Sequence, residues 1–130
     1  SFRFLPIWIG TIEAVSIAYA QEGYVHPRPQ THDLLIDIVE SLNASISEVC
    51  ITGIQEKTYF AEITLSTLEG EVTLSSRPSD AIALAIRSNS KITVDNELFN
   101  SNSIILIDEN NEEIQEFKEF IDDISPDDFS

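Results

Sequence analysis

Three successive segments with the alternation of β-strands restrict the fold of this chain more than any other feature. They read EVCITGI, TYFAEITLS and EVTLSS between residues 48 and 76, and short turns at residues 55–57 and 68–70 separate them. In the middle segment apolar residues alternate with a mostly polar set, so one face of this strand is expected to be buried. Because the connections are short, the three segments predict an antiparallel meander.

Helical patterns lie on both sides of this meander. Before it, a helix is predicted over 11–21, apolar nearly all round and therefore well buried, and a second over 32–43 with Thr31 as its N-cap. After it, a helix is predicted from Pro78 to about Ser88, because proline has no N–H to satisfy at a first helical position. The stripe of the second helix consists of Leu34, Leu35, Ile38, Val39 and Leu42.

Shorter patterns complete the chain. FRFLPIWI (2–9), KITV and SIILI predict strands, and DNELF predicts a turn or a single helical turn. The acidic C-terminal segment predicts a helix over about 112–124, with the apolar stripe Ile114, Phe117, Phe120, Ile121 and Ile124. We therefore divide the chain into a domain over 1–108 and an acidic helix and tail over 109–130, packed on the domain or on a partner subunit. The expected fold is α+β, a single compact domain with a mixed β-sheet and about four helices.

Two of the helices have similar sequences. EAVSIAYA begins at Glu13 and DAIALAIR begins at Asp80, an offset of 67 residues. Either two buried helices share the same small and aliphatic composition, or a strand–helix unit is duplicated. Duplication would place Glu13 and Asp80 at equivalent positions in the first turns of their helices.

Composition limits the classes of partner. The formal net charge is −16, which repels phosphate backbones, and ten of the 23 acids lie in residues 108–130. No apolar run approaches the ~20 residues of a membrane span. The single cysteine, Cys50, lies in an apolar strand and predicts a buried thiol in a reducing, cytoplasmic compartment.

The start of the third helix is the first candidate site. A carboxylate such as Asp80 suits the free N–H groups of a first turn, and Arg77 just before it can fork onto a carboxylate or a phosphate. Arg77 and Ser79 could therefore bind an anion, or Asp80 could already neutralise Arg77 and Ser79 could bond to the backbone.

The second candidate site is the segment HPRPQTHD, which holds both histidines of the chain, His26 and His32. His32 next to Asp33 suits general acid–base chemistry, but both residues also suit a structural helix start. No known metal spacing is present. A metal would be a hard cation, Mg²⁺ or Mn²⁺, held with waters by Glu13, Asp33 or Asp80.

Three segments, LPIWIGTIEA (5–14), RPQTHDLL (28–35) and RPSDAIALAIR (77–87), together resemble the bifunctional nuclease domain family. The closing EFKEFIDDISPDDF resembles the tail of actinobacterial-type members. The resemblance implies a compact α+β domain with a mixed sheet, often oligomeric, and nuclease activity on RNA and DNA. The matching motif positions are Trp8, Gly10, Glu13, Arg28, Pro29, Thr31, His32, Asp33, Arg77, Pro78, Ser79 and Asp80.

Two functions therefore stay open. In a metal-assisted nuclease, Arg28, Arg77 and Ser79 would hold the phosphate, His32 would shuttle a proton, and Glu13, Asp33 and Asp80 would hold the cation. In a non-catalytic binding or regulatory domain, Arg77 and Asp80 would form a buried structural ion pair.

Overall fold

Six strands and four helices make up the fold in a computed structural model that describes residues 2–106. In chain order they are β1 (Phe2–Phe4), α1 (Thr11–Gln21), α2 (Thr31–Ser41), β2 (Ser45–Gln55), β3 (Thr58–Thr67), β4 (Gly70–Ser76), α3 (Pro78–Ser88), β5 (Lys91–Val94), α4 (Asn96–Asn102) and β6 (Ile104–Leu106). The predicted helix over 112–124 and the proposed division between 108 and 109 lie outside the described residues.

The main sheet has the strand order β4-β3-β2-β5. The predicted meander is confirmed, because β2 pairs with β3 and β3 pairs with β4, both antiparallel. Strand β5 then pairs parallel to β2, after the crossover through α3, so the sheet is mixed as expected. Together with the helices, this sheet makes a single compact α+β domain.

Helix α3 lies over the centre of the sheet. Its small side chains allow it to pack closely against β2, β3, α1 and α2, and Ala81, Ala83 and Ala85 are each 0% exposed. Val49 and Ile51 from β2 form the centre of the core beneath it. The domain is therefore organised around α3, and α1 and α2 both pack against it.

The first strand is shorter than predicted. Residues 2–9 were expected to be one strand, but β1 ends at Phe4 and forms a separate two-stranded sheet with the equally short β6. Pro6 has no N–H for a continued ladder. Instead, Leu5 and Ile7 turn in and pack against the core.

Other local predictions need correction. Helix α1 was expected to be well buried, but none of its residues is fully buried and Ile12 is 82% exposed, because α1 packs mainly against α3. The N-cap of α2 is Gln30 rather than Thr31, in a capping box with Asp33. The DNELF segment belongs to a full helix, α4, whose start is capped by the side chain of Asp95.

Two further properties bear on the sequence predictions. Cys50 is only half-buried rather than fully buried. None of the helices in residues 2–106 is long and apolar enough to cross a membrane.

Candidate functional site

The first turns of α1, α2 and α3 meet at one place. Each carries an acid as its third helical residue: Glu13, Asp33 and Asp80. Glu13 and Asp80 thus occupy the equivalent positions that a duplicated unit requires, although duplication itself stays a prediction. The predicted motifs come together because α1 and α2 both pack against α3.

Arg77 joins two of these acids. Its Nε donates to Asp80 Oδ2 at 2.9 Å and its Nη1 donates to Glu13 Oε1 at 2.8 Å. Its side chain is nevertheless 63% exposed, so the buried Arg77–Asp80 ion pair of the non-catalytic interpretation is wrong. Within residues 2–106, its Nη2 makes no hydrogen bond to a protein atom.

Gly10, the N-cap of α1, leaves space for this contact. A Cβ at Gly10 would collide with the carboxylate of Glu13. The missing side chain lets Glu13 fold back over the start of its own helix, where Arg77 reaches it. A side chain at position 10 would therefore displace the Glu13 carboxylate from this position, without a clash with the backbone.

His32 is buried, with 8% of its surface exposed, and both ring nitrogens are hydrogen-bonded. Nε2 lies 2.9 Å from Asp80 Oδ1, and Nδ1 lies 2.6 Å from Ser16 Oγ. Because a carboxylate only accepts, the neutral ring carries its proton on Nε2, and Nδ1 accepts from the Ser16 hydroxyl. The hydrogen-bond network thus assigns one tautomer and one ring orientation to His32.

A further ion pair, more buried than the contacts of Arg77, joins Arg87 and Asp33. Arg87 Nε donates to Asp33 Oδ1 at 2.7 Å, and its side chain is only 9% exposed. Its Nη2 donates to Ser16 Oγ at 3.0 Å and to Ser16 O at 3.1 Å. Because Ser16 Oγ accepts from Arg87, its own proton is directed to His32.

These contacts form one continuous polar network, which consists of Glu13, Ser16, His32, Asp33, Arg77, Asp80 and Arg87. Ser16 and Arg87 were not among the predicted site residues. Arg87 lies within the RPSDAIALAIR motif, and its position in an otherwise apolar helix was the available signal. With two arginines and three acids, the network has a formal charge of −1 when His32 is neutral.

The acids of the network are ionised at neutral pH. Partial burial acts to raise the pKa of Asp80, but hydrogen bonds from Arg77 and His32 outweigh it and hold that pKa below its ordinary 3.8. At Asp33, burial likewise acts to raise the pKa. The hydrogen bonds from Arg87 and from the Gln30 N–H outweigh burial, so the pKa of Asp33 is also lowered. The backbone N–H of Glu13 and then Arg77 lower the pKa of Glu13.

Three residues of the sequence prediction lie apart from the network. Ser79 is buried in the first turn of α3, with 5% of its surface exposed, and Arg28 is exposed in the loop before α2. His26 packs edge-on against the rings of Tyr19 and Tyr24, with centroid distances of 4.5 and 4.7 Å. Roles for Ser79 and Arg28 in phosphate binding stay predictions.

The predicted cation ligands do not converge on one point. Glu13 and Asp80 share the guanidinium of Arg77, whereas Asp33 is paired separately with Arg87. Within residues 2–106, no group of three or more His, Cys, Asp or Glu side chains is placed to hold a metal ion. The described donor set therefore does not fit a three-carboxylate site, and the Mg²⁺ or Mn²⁺ requirement stays a prediction.

An open groove of about 400 Å³ begins at His32, Arg77 and Asp80. It runs between α2 and the β3–β4 side of the sheet. This space is open because α2 packs on β2, so that Leu74 of β4 stays 47% exposed. The remaining walls are mostly aliphatic. One end of the network is thus open to solvent and continuous with an apolar groove.

Comparison with known proteins places this chain in a family. Uncharacterized proteins from two strains of Mycobacterium tuberculosis are each 40% identical over 136 residues, covering 98% of this chain and 81% of the relative. Bifunctional nuclease 2 of Arabidopsis thaliana is 30% identical over 107 residues, covering 80% of this chain and 32% of the plant protein. The family model for the bifunctional nuclease domain matches residues 1–106, which include every residue of the network. The chain therefore belongs to the bifunctional nuclease domain family.

Proposed function

We propose that this protein is a nuclease that hydrolyses phosphodiester bonds of RNA or DNA at the open end of the polar network. The observation that carries the proposal is the meeting of His32, Asp80 and the exposed Arg77 at the mouth of the groove. Family membership and the name of the plant relative support the same class of reaction.

Arg77 is the phosphate-binding residue in this proposal. Glu13 and Asp80 hold its Nε and Nη1, which leaves Nη2 to donate to a phosphate oxygen. A guanidinium held in this way stabilises the charge that develops on the phosphoryl oxygens in the transition state. The residue is exposed enough to make this contact without unfolding of any element.

Asp80 and His32 act on the water. Asp80 is ionised, and its lone pairs beyond the bonds to Arg77 and His32 orient a water molecule toward the phosphorus. The water oxygen forms the new bond to phosphorus and one of its protons passes to the Asp80 carboxylate, which the Nε2–H of His32 holds in position. The bond to the leaving oxygen breaks, and that oxygen takes a proton from solvent in the open groove.

A non-catalytic binding or regulatory domain is the second candidate. It is favoured because every carboxylate of the network already has a guanidinium partner. The net charge of −16 also opposes the binding of a polyanion. In that case the network would hold the three helices together and no substrate would be cleaved.

The test is cleavage of labelled single-stranded RNA and DNA at low salt, with Mg²⁺, Mn²⁺ or EDTA. Asp80→Asn is expected to lower kcat by roughly 10²–10⁴-fold, the contribution of a positioned acid–base group. Asp95→Asn is the matched control, because asparagine still caps α4 and the charge change is the same.

Loss of cleavage in Asp80→Asn but not in Asp95→Asn supports the proposal. Equal cleavage by both variants would indicate a contaminating nuclease. No cleavage by the wild type under any metal condition would favour the binding domain. The same assay decides the metal requirement, since EDTA abolishes only a metal-dependent activity.

A further inference from the structure

The groove and the charge of the protein together restrict the substrate. The groove has a volume of about 400 Å³, which falls within the roughly 300–1,000 Å³ of pockets that bind small molecules. The groove is continuous with the network, since His32, Arg77 and Asp80 are among its lining residues. A substrate whose phosphate contacts Arg77 must therefore place its neighbouring group between the groove walls.

The walls suit the faces of a nucleobase. They are formed by aliphatic side chains of α2, β3, β4 and α3, including Leu35, Leu65, Leu74 and Leu84. Thr31 and Ser75 add polar residues to the lining. A base inside this groove has left any stack of paired bases, so the groove favours single strands or free ends over the interior of a duplex.

The charges do not favour a long polyanion. Residues 2–106 contain thirteen Asp or Glu and only six Lys or Arg. Arg77 is the only Lys or Arg among the described residues that line the groove, and Glu13 and Asp80 already neutralise part of its charge. Proteins that hold long nucleic acids use many cations along the backbone, and that arrangement is missing from the described surface of this groove.

We propose that the substrate is a small single-stranded phosphodiester, such as a dinucleotide or the end of a short oligonucleotide, with one nucleobase in the groove and one phosphate at Arg77. This inference rests on the proposed nuclease function and names its substrate class. It also accounts for an acidic protein in a nuclease family, because one phosphate contact meets much less repulsion than an extended backbone.

The test compares a uridine or thymidine dinucleotide with a long single strand as substrates over a series of salt concentrations. The dinucleotide and the long strand are expected to have similar kcat/KM. A plot of log kcat/KM against log salt concentration is expected to have a slope of about −0.7, the value for one phosphate contact. A strong preference for the long strand with a slope of about −4, as for six contacts, would contradict the inference and leave the nuclease function intact.

A pair of variants tests the groove directly. Leu74→Glu, at a groove wall, is expected to raise KM for the dinucleotide by about tenfold. Leu68→Glu, in the turn before β4 and 83% exposed, is the matched control and is expected to leave KM unchanged. Equal KM values for both variants would overturn the inference.

Methyl NMR during titration with the dinucleotide gives a readout that does not depend on cleavage. Shifts of Leu35, Leu65 and Leu74 are expected, and shifts confined to other surfaces would contradict the inference. If the dinucleotide moves these signals but no substrate is cleaved, the ligand class is supported and the nuclease proposal fails. If the same signals change with protein concentration alone, a second copy covers the groove and the inference is wrong.

Discussion

Arg77 and Arg87 bind acids of helix first turns in similar ways but differ in burial. The side chain of Arg77 is 63% exposed, whereas that of Arg87 is 9% exposed and makes four hydrogen bonds. Exposed ion pairs contribute little to stability, but removal of one partner of a buried pair leaves an uncompensated charge. We therefore expect the Arg87 end of the network to contribute more to stability, which leaves the Arg77 end available for the proposed chemistry.

The first prediction concerns the buried pair. Asp33→Asn is expected to lower the free energy of unfolding by roughly 2–3 kcal/mol, less than for a fully buried pair because Asp33 is 33% exposed. Asp37→Asn is the matched control on the same helix, since Asp37 is exposed and has no hydrogen bond or ion pair within residues 2–106. Denaturant unfolding of both variants measures the difference, and equal stability would contradict a structural role for Asp33.

The pH dependence of this difference follows from the lowered pKa of Asp33. A carboxyl with a lowered folded-state pKa contributes stability above its ordinary value of 3.8 and loses that contribution as the pH falls through the folded-state value. The gap in unfolding free energy between wild type and Asp33→Asn should therefore be constant from pH 7 to about pH 5 and close below about pH 4. A difference in unfolding free energy that widens as the pH falls would contradict a lowered pKa for Asp33 in the folded protein.

The hydrogen bonds of His32 predict its tautomer. At pH 8, ¹⁵N NMR should show a protonated Nε2 and an unprotonated Nδ1, because Asp80 accepts from the first and Ser16 donates to the second. Asp80→Asn should produce a mixture of tautomers, since an amide can donate as well as accept. A proton on Nδ1 in the wild-type protein would contradict the assigned network.

Site residues could be predicted from sequence only where a reactive side chain stands at a position that local sequence patterns identify, such as the first turn of a helix. Glu13, Asp33 and Asp80 are acids in first turns, and sequence patterns alone locate such positions. Ser16 and Arg87 are 71 residues apart and meet only because α1 packs against α3. Burial, which separates the roles of the two arginines, is likewise a property of packing and not of local sequence.

Element boundaries were most predictable where a residue has a clear local preference. Pro78 begins α3, and Asn89 ends it in the left-handed conformation with φ of 54°. Prediction was poor where tertiary pairing decides the outcome, as in the strand over 2–9, whose partner β6 has only three residues. The burial of α1 was also mispredicted, because apolar composition does not say how many neighbours a helix has.

The turn between β2 and β3 carries a prediction at the scale of one element. Its two residues, Glu56 and Lys57, have φ values of 50° and 67°, which glycine and asparagine adopt more easily. Replacing them with Asn-Gly should raise the free energy of unfolding by about 0.5–1 kcal/mol. Glu69→Asn in the next turn, where φ is not positive, is the control, and an equal gain there would contradict this explanation.

At the scale of the whole molecule, the sequence is acidic and the described residues include exposed apolar side chains. Leu34, Ile38 and Leu42 lie at helical spacing on α2 and are 49%, 46% and 70% exposed. This face is adjacent to the groove residues of α2, Leu35 and Val39, but consists of different side chains. The expected homo-oligomer stays a prediction, which sedimentation over a range of protein concentrations would check.

At this scale, the central claim is that the exposed end of the network performs chemistry rather than holding the fold. The most direct measurement combines cleavage and thermal unfolding for Arg77→Gln, with Arg3→Gln as control. Arg3 is also an exposed arginine, and it binds Asn100 and Ser103 away from the network.

For Arg77→Gln we expect a melting temperature close to that of the wild type and a loss of kcat/KM of about 10²-fold or more, as for removal of a transition-state donor. Arg3→Gln should keep full activity. A strongly destabilised Arg77→Gln protein, or a stable one that cleaves as well as Arg3→Gln, would contradict the account.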